Sequence, residues 1–216
     1  MEKLDYKKLY KELYAPGTSP SLIEVPSMKF LMVEGHGNPN DHDGEYKKAV
    51  ELLYSISYTI KMSCKGSKQP GIYDYVVPPL EGLWWMGDDN DYDFSKKDHY
   101  CWVSMIRQPD FISEAMFAEA LQTVAKKKSS LDVSKAKLES FREGLCVQCM
   151  HIGPYDEEPA TVAKIDAYIS QSGKKNAIST LSSDGKMLRH HEIYLSNPLT
   201  TKPASMKTIL RHPVME

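Results

Sequence analysis

The stretch Cys146-Val-Gln-Cys-Met-His-Ile-Gly-Pro-Tyr-Asp-Glu-Glu-Pro159 decides the fold of this chain. Its first half is apolar and suits a β-strand, and Gly153-Pro154 ends that strand. The acidic residues that follow, together with a proline, are typical of the first turn of a helix. We therefore predict a strand, a sharp turn and a helix over 157–172, which bring an aromatic ring and three carboxylates together at one rim.

The same order of elements occurs earlier in the chain. A strand over 28–36 leads through a turn-rich segment into a helix over 45–62, and strands over 72–86 and 98–107 follow. In the second half, a strand over 190–196 follows the helix. Each half therefore reads strand–helix–strand–strand. Two such modules predict an α+β fold with pseudo-two-fold symmetry, an antiparallel sheet with helices on one face, and a groove between the halves that suits a ligand.

Weaker patterns suggest the remaining elements. Residues 1–14 have the spacing of a short amphipathic helix, and Ser113 is placed to cap another helix. Residues 137–141 alternate and predict a hairpin into 145–153, with a short helix over 134–143 as the alternative.

These elements predict a single domain that spans residues 1–216. It comprises an N-terminal leader (1–21), a first half (22–130), a second half (131–198) and a C-terminal tail (199–216). Neither half alone is long enough to bury its own sheet well, so we expect the two to fold together.

Composition is ordinary for a globular protein with a hydrophobic core. The 216 residues are 41 % hydrophobic and 26 % charged, with a formal charge of −2, so no basic excess favours direct nucleic-acid binding. The charged N-terminus lacks the apolar region of a signal peptide, and no apolar run approaches the ~18 residues of a membrane span. We expect a cytoplasmic protein with no membrane association.

No metal or cofactor is expected. Cys146 and Cys149 stand three apart on a predicted strand, where successive side chains alternate, so their sulfurs point to opposite faces. His190-His191-Glu192 is not the His-Glu-x-x-His motif of metalloproteases, and the chain has neither a phosphate loop nor a nucleophile elbow.

Two glutamates are the candidate catalytic residues. Glu192 lies in the middle of a predicted strand, where a carboxylate is disfavoured, so it either faces a groove or lies on a solvated outer face. Of Glu157 and Glu158 we favour Glu157, which is the nearer of the two to Tyr155 at the rim, and the alternative role of both acids is to complement the helix dipole. Two carboxylates in an apolar site can take opposite acid and base roles.

Aromatic residues are the candidate ligand-binding walls. Trp84 and Trp85 are adjacent on a predicted strand and point to opposite faces, so one is core and the other is available to a ligand. Trp102, Tyr75 and Tyr155 complete the set. Such rings suit flat aromatics and cations, although simple core packing is an alternative for each.

Five motifs together resemble a known family, the GyrI-like small-molecule-binding domain. They are His151-x-Gly-Pro-Tyr155, Glu192-Ile-Tyr-Leu-Ser-Asn-Pro198, Pro79-Leu-Glu-Gly-Leu-Trp-Trp85, Trp102-x-x-Met-Ile-Arg-Gln-Pro109 and Ile209-Leu-Arg-His-Pro213. The last three resemble the stand-alone branch of that family. The resemblance covers residues 22–213.

The resemblance implies a ligand and two functions. Regulators of this family bind bulky aromatic, often cationic drugs in the groove between the halves, with a glutamate matched here by Glu192 as the counter-charge. Stand-alone members include hydrolases that open the strained cyclopropane of DNA-alkylating natural products, which is a detoxification. We therefore expect a multidrug-type binding module, or alternatively a hydrolase in which Glu192 and Glu157 activate water. A sensor subunit beside a separate DNA-binding partner is a third interpretation, and the oligomeric state is left open.

Overall fold

The computed structural model describes residues 3–87 and 96–216. Residues 1–2 of the expected leader and 88–95 of the expected first half lie outside the described residues. The helices are α1 (Tyr6–Leu9), α2 (Lys11–Tyr14), α3 (Glu45–Cys64), α4 (Glu114–Lys127) and α5 (Glu158–Gln171). The strands are β1 (Ser21–Val25), β2 (Met28–His36), β3 (Leu80–Met86), β4 (Tyr100–Arg107), β5 (Ala136–Phe141), β6 (Gly144–Ile152), β7 (Lys175–Asn176), β8 (His190–Tyr194) and β9 (Lys207–Met215).

The predicted α+β class with antiparallel strands is confirmed. The strand pairs β2–β4, β1–β6, β6–β9 and β8–β9 are all antiparallel. The order strand–helix–strand–strand occurs twice, as β2–α3–β3–β4 and as β6–α5–β8–β9 with the two-residue β7 inserted. The Ser113 hydroxyl accepts a hydrogen bond from the backbone N–H of Met116 and so caps α4, as predicted.

Four segments differ from the sequence-based expectation. Residues 136–141 form the strand β5, but it lies beside β2 and does not make the expected hairpin with the strand that follows it. The expected helix over 1–14 is two four-residue helices. The expected strand over 72–86 begins only at Leu80, because Pro78 and Pro79 have no N–H to donate to a ladder. The tail contains the nine-residue β9, which its sequence pattern does not reveal because Arg211, His212 and Pro213 interrupt its apolar residues.

The described residues form two compact units. Of these residues, unit 1 contains 3–9, 28–78, 84–87 and 96–140, and unit 2 contains 10–27, 79–83 and 141–216. In unit 1 the strand order is β3-β4-β2-β5. In unit 2 it is β1-β6-β9-β8-β3, with β7 beside β9, and each unit contains one part of β3.

The helix α3 covers the sheet of unit 1. Its residues Leu53, Ile56 and Ile60 are fully buried, as are Leu31 of β2 and Ile106 of β4, which pair with each other across the ladder. The spacing of the three helix residues places them on one face, so burial of this stripe stabilises the helix against the sheet.

The sheet of unit 2 has two differently covered faces. On one, Val147, Cys149 and Leu210 pack against Ile165 and Ile169 of α5, and we call it the α5 face. Because side chains alternate along a strand, the residues next to these in sequence point the other way. That opposite side is the α2 face, because Arg211 and Gln148 there donate hydrogen bonds to the backbone carbonyls of residues 13 and 12.

Candidate active site

The alternation of β8 separates two neighbouring polar residues. Glu192 is paired with Leu210 across the ladder and therefore lies on the α5 face, whereas His191 is paired with Arg211 and lies on the α2 face. The mid-strand position of Glu192 thus places a carboxylate on the same face as the apolar core beneath α5, rather than on a solvated outer face.

Two side chains hold the Glu192 carboxylate in place. The Tyr194 hydroxyl donates a hydrogen bond of 2.7 Å to Oε2, and Nε2 of His190 lies 3.1 Å from Oε1. Both partners come from β8 itself, two residues before and after the glutamate, which is the spacing that shares one face of a strand. The carboxylate is therefore oriented, with each oxygen contacted by one side chain.

A second carboxylate comes from the first turn of α5. Residues 155–157 form a short 3₁₀ turn, and the turn directs Glu158 inward, where only 5 % of it is exposed. Its Oε1 is buried beside the Thr208 hydroxyl, whose hydrogen bond favours the charged form of the carboxyl, and it has no other hydrogen-bond partner among the described residues. Burial with so few partners disfavours the ionised form of Glu158.

Burial determines the protonation state of Glu158. Loss of solvent, and then the negative charge of Glu192, raise the pKa of the Glu158 carboxyl to about 9. Asp156 adds to this rise, and Thr208 opposes it. At neutral pH the site therefore holds one carboxylic acid, Glu158, beside the carboxylate whose charge keeps it protonated. Such a pair can donate and accept a proton in the same reaction.

Two tyrosines complete the rim of this site. The rings of Tyr155 and Tyr194 meet edge to face with centroids 5.8 Å apart, and Tyr155 is 37 % exposed. Burial, followed by the charges of Glu158 and Glu192, raises the pKa of Tyr155 to about 12, so its hydroxyl stays a donor at neutral pH. Tyr155 and Glu192 are thus brought together as the sequence suggests, and the ligand-binding and catalytic roles predicted for them stay predictions.

Glu157 differs from Glu158 in its exposure. It is exposed, and it precedes α5 as the residue before the first helical position. Its predicted catalytic role stays a prediction, but burial and the charge of Glu192 single out its neighbour Glu158. Helical periodicity could have shown the burial of Glu158 from the sequence. Glu158 stands seven residues before Ile165 and eleven before Ile169, and this spacing places it on the buried stripe of α5.

The α2 face carries a different polar group, which sequence patterns do not reveal. The imidazole of His191 lies between Glu143 (2.9 Å) and Glu81 (3.0 Å). Arg211 donates to Glu143 at 3.3 Å, and the Tyr14 hydroxyl donates to Glu81 at 3.2 Å. All of these side chains are buried, and together they pair two acids with two bases, with only Oε1 of Glu143 left without a partner among the described residues.

This α2-face network keeps His191 charged. Burial opposes the charge on the imidazole, but the charge and hydrogen bond of Glu143, and then those of Glu81, outweigh it and raise the pKa of His191 to about 9. For Glu143, burial is likewise outweighed by His191 and Arg211, so the pKa of that carboxyl is lowered. The network is charge-balanced and buried, and its hydrogen bonds join α2 to the sheet.

The remaining candidate walls lie in unit 1. Trp102 is 1 % exposed and its ring covers Gly35, where an added Cβ would lie 2.4 Å from the indole. Trp84 is also buried and meets Tyr100 edge to face at 6.0 Å, whereas Trp85 is half-buried, which matches the prediction that only one of the adjacent pair is core. Tyr75 is fully buried, and its hydroxyl lies 3.4 Å from Gln108. Their ligand-binding roles stay predictions.

One cavity in unit 1 is lined mainly by uncharged side chains. It measures about 490 Å³, lies between α3 and α4, and is lined by Tyr54, Tyr58, Glu51 and Lys128 among others. Its acid and base already pair with each other at 2.7 Å. We therefore base the candidate site on the carboxyl pair rather than on this groove.

The described residues, 3–87 and 96–216, contain no group of three or more His, Cys, Asp or Glu side chains that could hold a metal ion. They also contain no helix long and apolar enough to cross a membrane.

Comparisons with known proteins agree with these observations. The model of the GyrI-like small molecule binding domain matches residues 18–215. An uncharacterized conserved protein from Listeria innocua is 46% identical, with a TM-score of 0.88 and coverage of 99% of this chain and 100% of that chain. A structure described as a hydrolase from Listeria innocua is also 46% identical, with a TM-score of 0.83 and the same coverage.

A more distant structure shows the fold alone. The C-terminal domain of EcmrR is 13% identical, with a TM-score of 0.53 and coverage of 92% of this chain and 98% of that chain. The search of curated proteins gave no match.

Proposed function

The chain belongs to the GyrI-like small-molecule-binding domain family, and on that premise we propose that it binds a hydrophobic, aromatic small molecule beside Glu158 and Glu192 and hydrolyses it. The observation that carries this proposal is the burial of the Glu158 carboxyl beside Glu192, whose own carboxylate is held by His190 and Tyr194; this burial and the charge of Glu192 raise the pKa of Glu158 to about 9. The hydrolase from Listeria innocua, 46% identical over nearly the whole chain, supports the same reaction type.

The proposed reaction is the addition of water to a strained, electrophilic ring such as a cyclopropane conjugated to a carbonyl. The Glu192 carboxylate takes a proton from water as the water oxygen attacks a ring carbon. The strained C–C bond breaks, and its electron pair moves to the carbonyl oxygen, which takes the proton from Glu158. General acid and base groups of this kind each contribute roughly 10²–10⁴-fold to a rate.

The two tyrosines at the rim, Tyr155 and Tyr194, form the surface that contacts the ligand. The exposed part of Tyr155 and the ring of Tyr194 offer flat apolar surfaces to an aromatic ligand. The hydrogen bond from Tyr194 keeps the Glu192 carboxylate aimed while a ligand enters.

Binding without turnover is the second candidate function. Its specific support is the charge of Glu192 beside two aromatic rings, a combination that attracts organic cations. A pure binder of cations needs Glu192 alone, whereas a hydrolase also needs the proton on Glu158. The two functions are therefore separated by variants of Glu158.

The test mixes the protein with a cyclopropane-containing DNA alkylator and follows the ring-opened product. Glu158→Gln and Glu192→Gln are each expected to lower the rate constant roughly 10²-fold or more. Glu119→Gln, an exposed carboxylate on α4, is the matched control with unchanged rate. Turnover that survives in both site variants would overturn the hydrolase assignment.

Two additional measurements sharpen this result. Glu157→Gln separates the sequence-based hypothesis from the structure-based one. If its rate constant falls as far as that of Glu158→Gln, the proton donor is not Glu158 alone, and the structure-based assignment is wrong. Tyrosine and tryptophan quenching by a panel of aromatic cations tests binding alone. Affinity lost in Glu192→Gln but kept in Glu158→Gln, without turnover of the alkylator by the wild type, would favour the binding module.

A further inference from the structure

A buried histidine, His151, lies on the α5 face close to the carboxyl pair. It pairs across the ladder with Thr208 of β9, and Thr208 pairs with Tyr194 of β8. Tyr194 stands two residues after Glu192, and residues at this spacing share one face of a strand. His151, Thr208 and Tyr194 therefore face α5, as Glu192 does.

Both ring nitrogens of His151 are used in hydrogen bonds. Nε2 lies 3.1 Å from the carbonyl oxygen of Pro154, and Nδ1 lies 2.9 Å from the hydroxyl oxygen of Thr161 on α5. A carbonyl oxygen can only accept, so Nε2 carries a proton and donates it. In the neutral ring Nδ1 is then an acceptor, and the Thr161 hydroxyl donates to it. Because His151 is 4% exposed and Thr161 is 6% exposed, both bonds are shielded from solvent.

These two bonds join three consecutive pieces of the chain. His151 is the last residue but one of β6, Pro154 begins the turn that follows, and Thr161 is the fourth residue of α5. The Pro154 carbonyl also accepts from the backbone N–H of Glu157 at 3.0 Å, which closes the 3₁₀ turn. The imidazole therefore holds the end of the strand, the turn and the start of the helix together.

Glu158 lies between the two points that the imidazole contacts. It stands four residues after Pro154 and three residues before Thr161, and Thr161 belongs to the same buried stripe of α5. Since one ring fixes the chain on both sides of Glu158, the first helical turn cannot rotate freely. Its carboxyl is kept on the inner side of the helix.

We propose that His151 is a positioning residue that keeps the Glu158 carboxyl buried beside Glu192. It acts through the Pro154 carbonyl and through Thr161, and it transfers no proton, because each ring nitrogen already has a hydrogen-bond partner. The proposal rests on the proposed function in one respect, namely that Glu158 acts as an acid in turnover.

Gly153 shows how closely the ring and the turn fit. Its φ is +143°, a conformation that residues with a Cβ rarely adopt. An added Cβ would lie 3.3 Å from Nε2 of His151 and 3.1 Å from Oε2 of Glu157. Gly153→Ala therefore pushes the ring away from the Pro154 carbonyl while the histidine itself is unchanged.

The groups around Glu158 make its titration a measure of its position. Burial and the charge of Glu192 are the two largest causes of its raised pKa, Asp156 adds to the rise, and the hydrogen bond of Thr208 opposes it. Tyr155 stays neutral at pH 7, because its own pKa is raised to about 12. A looser turn gives Glu158 more solvent and a greater distance from Glu192, and both changes lower its pKa.

The hydrogen bonds of His151 can be tested without substrate. In protein labelled with ¹⁵N at histidine, the ring shifts report which nitrogen carries the proton, and the structure predicts Nε2. A neutral ring with its only proton on Nδ1 would overturn the assignment. Thr161→Val should change the Nδ1 shift, whereas Thr123→Val, which removes a hydroxyl bonded to its own helix, is the matched control. An Nδ1 shift that ignores Thr161→Val would overturn the link to α5.

The deciding measurement is the titration of Glu158 by ¹³C NMR in variants of this contact. His151→Phe keeps a ring but loses both hydrogen bonds, and it should lower the Glu158 midpoint by about one pH unit or more. Gly153→Ala should lower the midpoint as well. His151→Gln should keep it near the wild-type value, because the amide N–H of Gln can reach the Pro154 carbonyl in place of Nε2.

This titration distinguishes positioning from a contribution to stability alone. A residue that only stabilises the fold changes the urea midpoint and leaves the titration of the folded protein unchanged. A Glu158 midpoint that stays at the wild-type value in both His151→Phe and Gly153→Ala would therefore overturn the proposal. So would an equal fall in His151→Phe and His151→Gln, because the hydrogen bond to the turn would then have no effect.

Turnover separates this proposal from the hydrolase assignment. With a turned-over alkylator, His151→Phe should lower kcat roughly tenfold to 10²-fold, and His151→Gln should recover most of the rate. A lowered Glu158 midpoint without turnover by the wild type would keep the positioning role and overturn the proposed hydrolysis. Turnover by the wild type, with a Glu158 midpoint that does not respond to His151→Phe or Gly153→Ala, would keep the hydrolase and overturn the positioning role.

Discussion

The two faces of the unit 2 sheet differ in how their buried carboxylates are stabilised. On the α2 face, Glu81 and Glu143 are matched by the cations of His191 and Arg211. On the α5 face, Glu158 and Glu192 face each other without an arginine or lysine in the ion pairs of the described residues, and one of them keeps its proton instead. The dividing point is a single peptide, between His191 and Glu192.

This difference teaches how one strand can serve both structure and chemistry. Buried ions that are fully paired fix the geometry, but their charges and hydrogen bonds are already used within the protein. A carboxyl whose pKa is raised by burial instead keeps a proton that it can donate to a ligand. The account therefore predicts that changes on the α2 face affect folding, and that changes on the α5 face affect function and even improve folding.

The largest effect is expected on the α2 face. Arg211→Leu removes the partner of Glu143, Gln148 and the carbonyl of residue 13, and leaves a buried carboxylate with one cation fewer. We expect the free energy of unfolding in urea to fall by about 3–5 kcal/mol. The matched control is Arg142→Leu, whose exposed ion pair with Glu24 is worth less than about 1 kcal/mol. Equal losses in the two variants would remove the distinction between a buried network and a surface pair.

The second effect has the opposite sign and depends on pH. The pKa of Glu158 is raised from 4.5 to about 9, so the folded state holds a proton that the unfolded state loses above pH 4.5. Stability is therefore lost as pH rises from 4.5 towards 9. Glu158→Gln removes this loss and should raise the free energy of unfolding by up to about 3 kcal/mol at pH 7.

Chemical denaturation at several pH values checks this prediction. At pH 4 the variant and the wild type should be nearly equal, and the gap should widen towards pH 9. Glu157→Gln, an exposed neighbour, should show no such widening. A constant difference at every pH would mean that Glu158 is not protonated in the folded protein.

The third effect is on the pH dependence of turnover. Because Glu158 acts as an acid with a pKa raised to about 9, kcat/KM should fall about tenfold per pH unit above pH 9. Steady-state rates between pH 6 and pH 10.5 measure this. The residual rate of Glu158→Gln should lack the alkaline limb, and a limb that persists in the variant would assign it to another group.

The smallest effects come from a pair of tyrosine variants, one on each face. Tyr14→Phe removes the 3.2 Å bond to Glu81 and should lower stability by about 1 kcal/mol with no change in ligand affinity. Tyr194→Phe removes the 2.7 Å bond to Glu192 and should weaken binding roughly tenfold. Urea unfolding and fluorescence quenching on both variants complete the comparison, and a reversal of the two outcomes would contradict it.

Periodic patterns predicted most of the frame. The strand at Met28–His36, the helix beginning at Glu45 and the capped α4 follow from apolar spacing and local turn chemistry, which act within a few residues. The strand β9 was not predicted, because its pairing with β6 and β8 is a long-range property. The α2-face network was missed for the same reason, since Tyr14, Glu81, Glu143 and Arg211 are far apart in the chain.

The candidate site was predicted in part. Glu192 was identified because a carboxylate in mid-strand needs an explanation, and Tyr155 because it follows the Gly153-Pro154 turn. Glu157 was favoured over Glu158 by proximity in sequence, whereas the orientation of the first helical turn decides which of two adjacent acids is buried.

The central claim is that Glu158 stores a proton beside the charged Glu192. A titration of the glutamate carboxyl carbons by ¹³C NMR, with Glu158 assigned from the Glu158→Gln variant, measures this directly. The account predicts a midpoint at about pH 9 for Glu158, and a lower midpoint in Glu192→Gln that still stays above 4.5, because burial is the larger cause. A midpoint near 4.5 that does not respond to Glu192→Gln would contradict it.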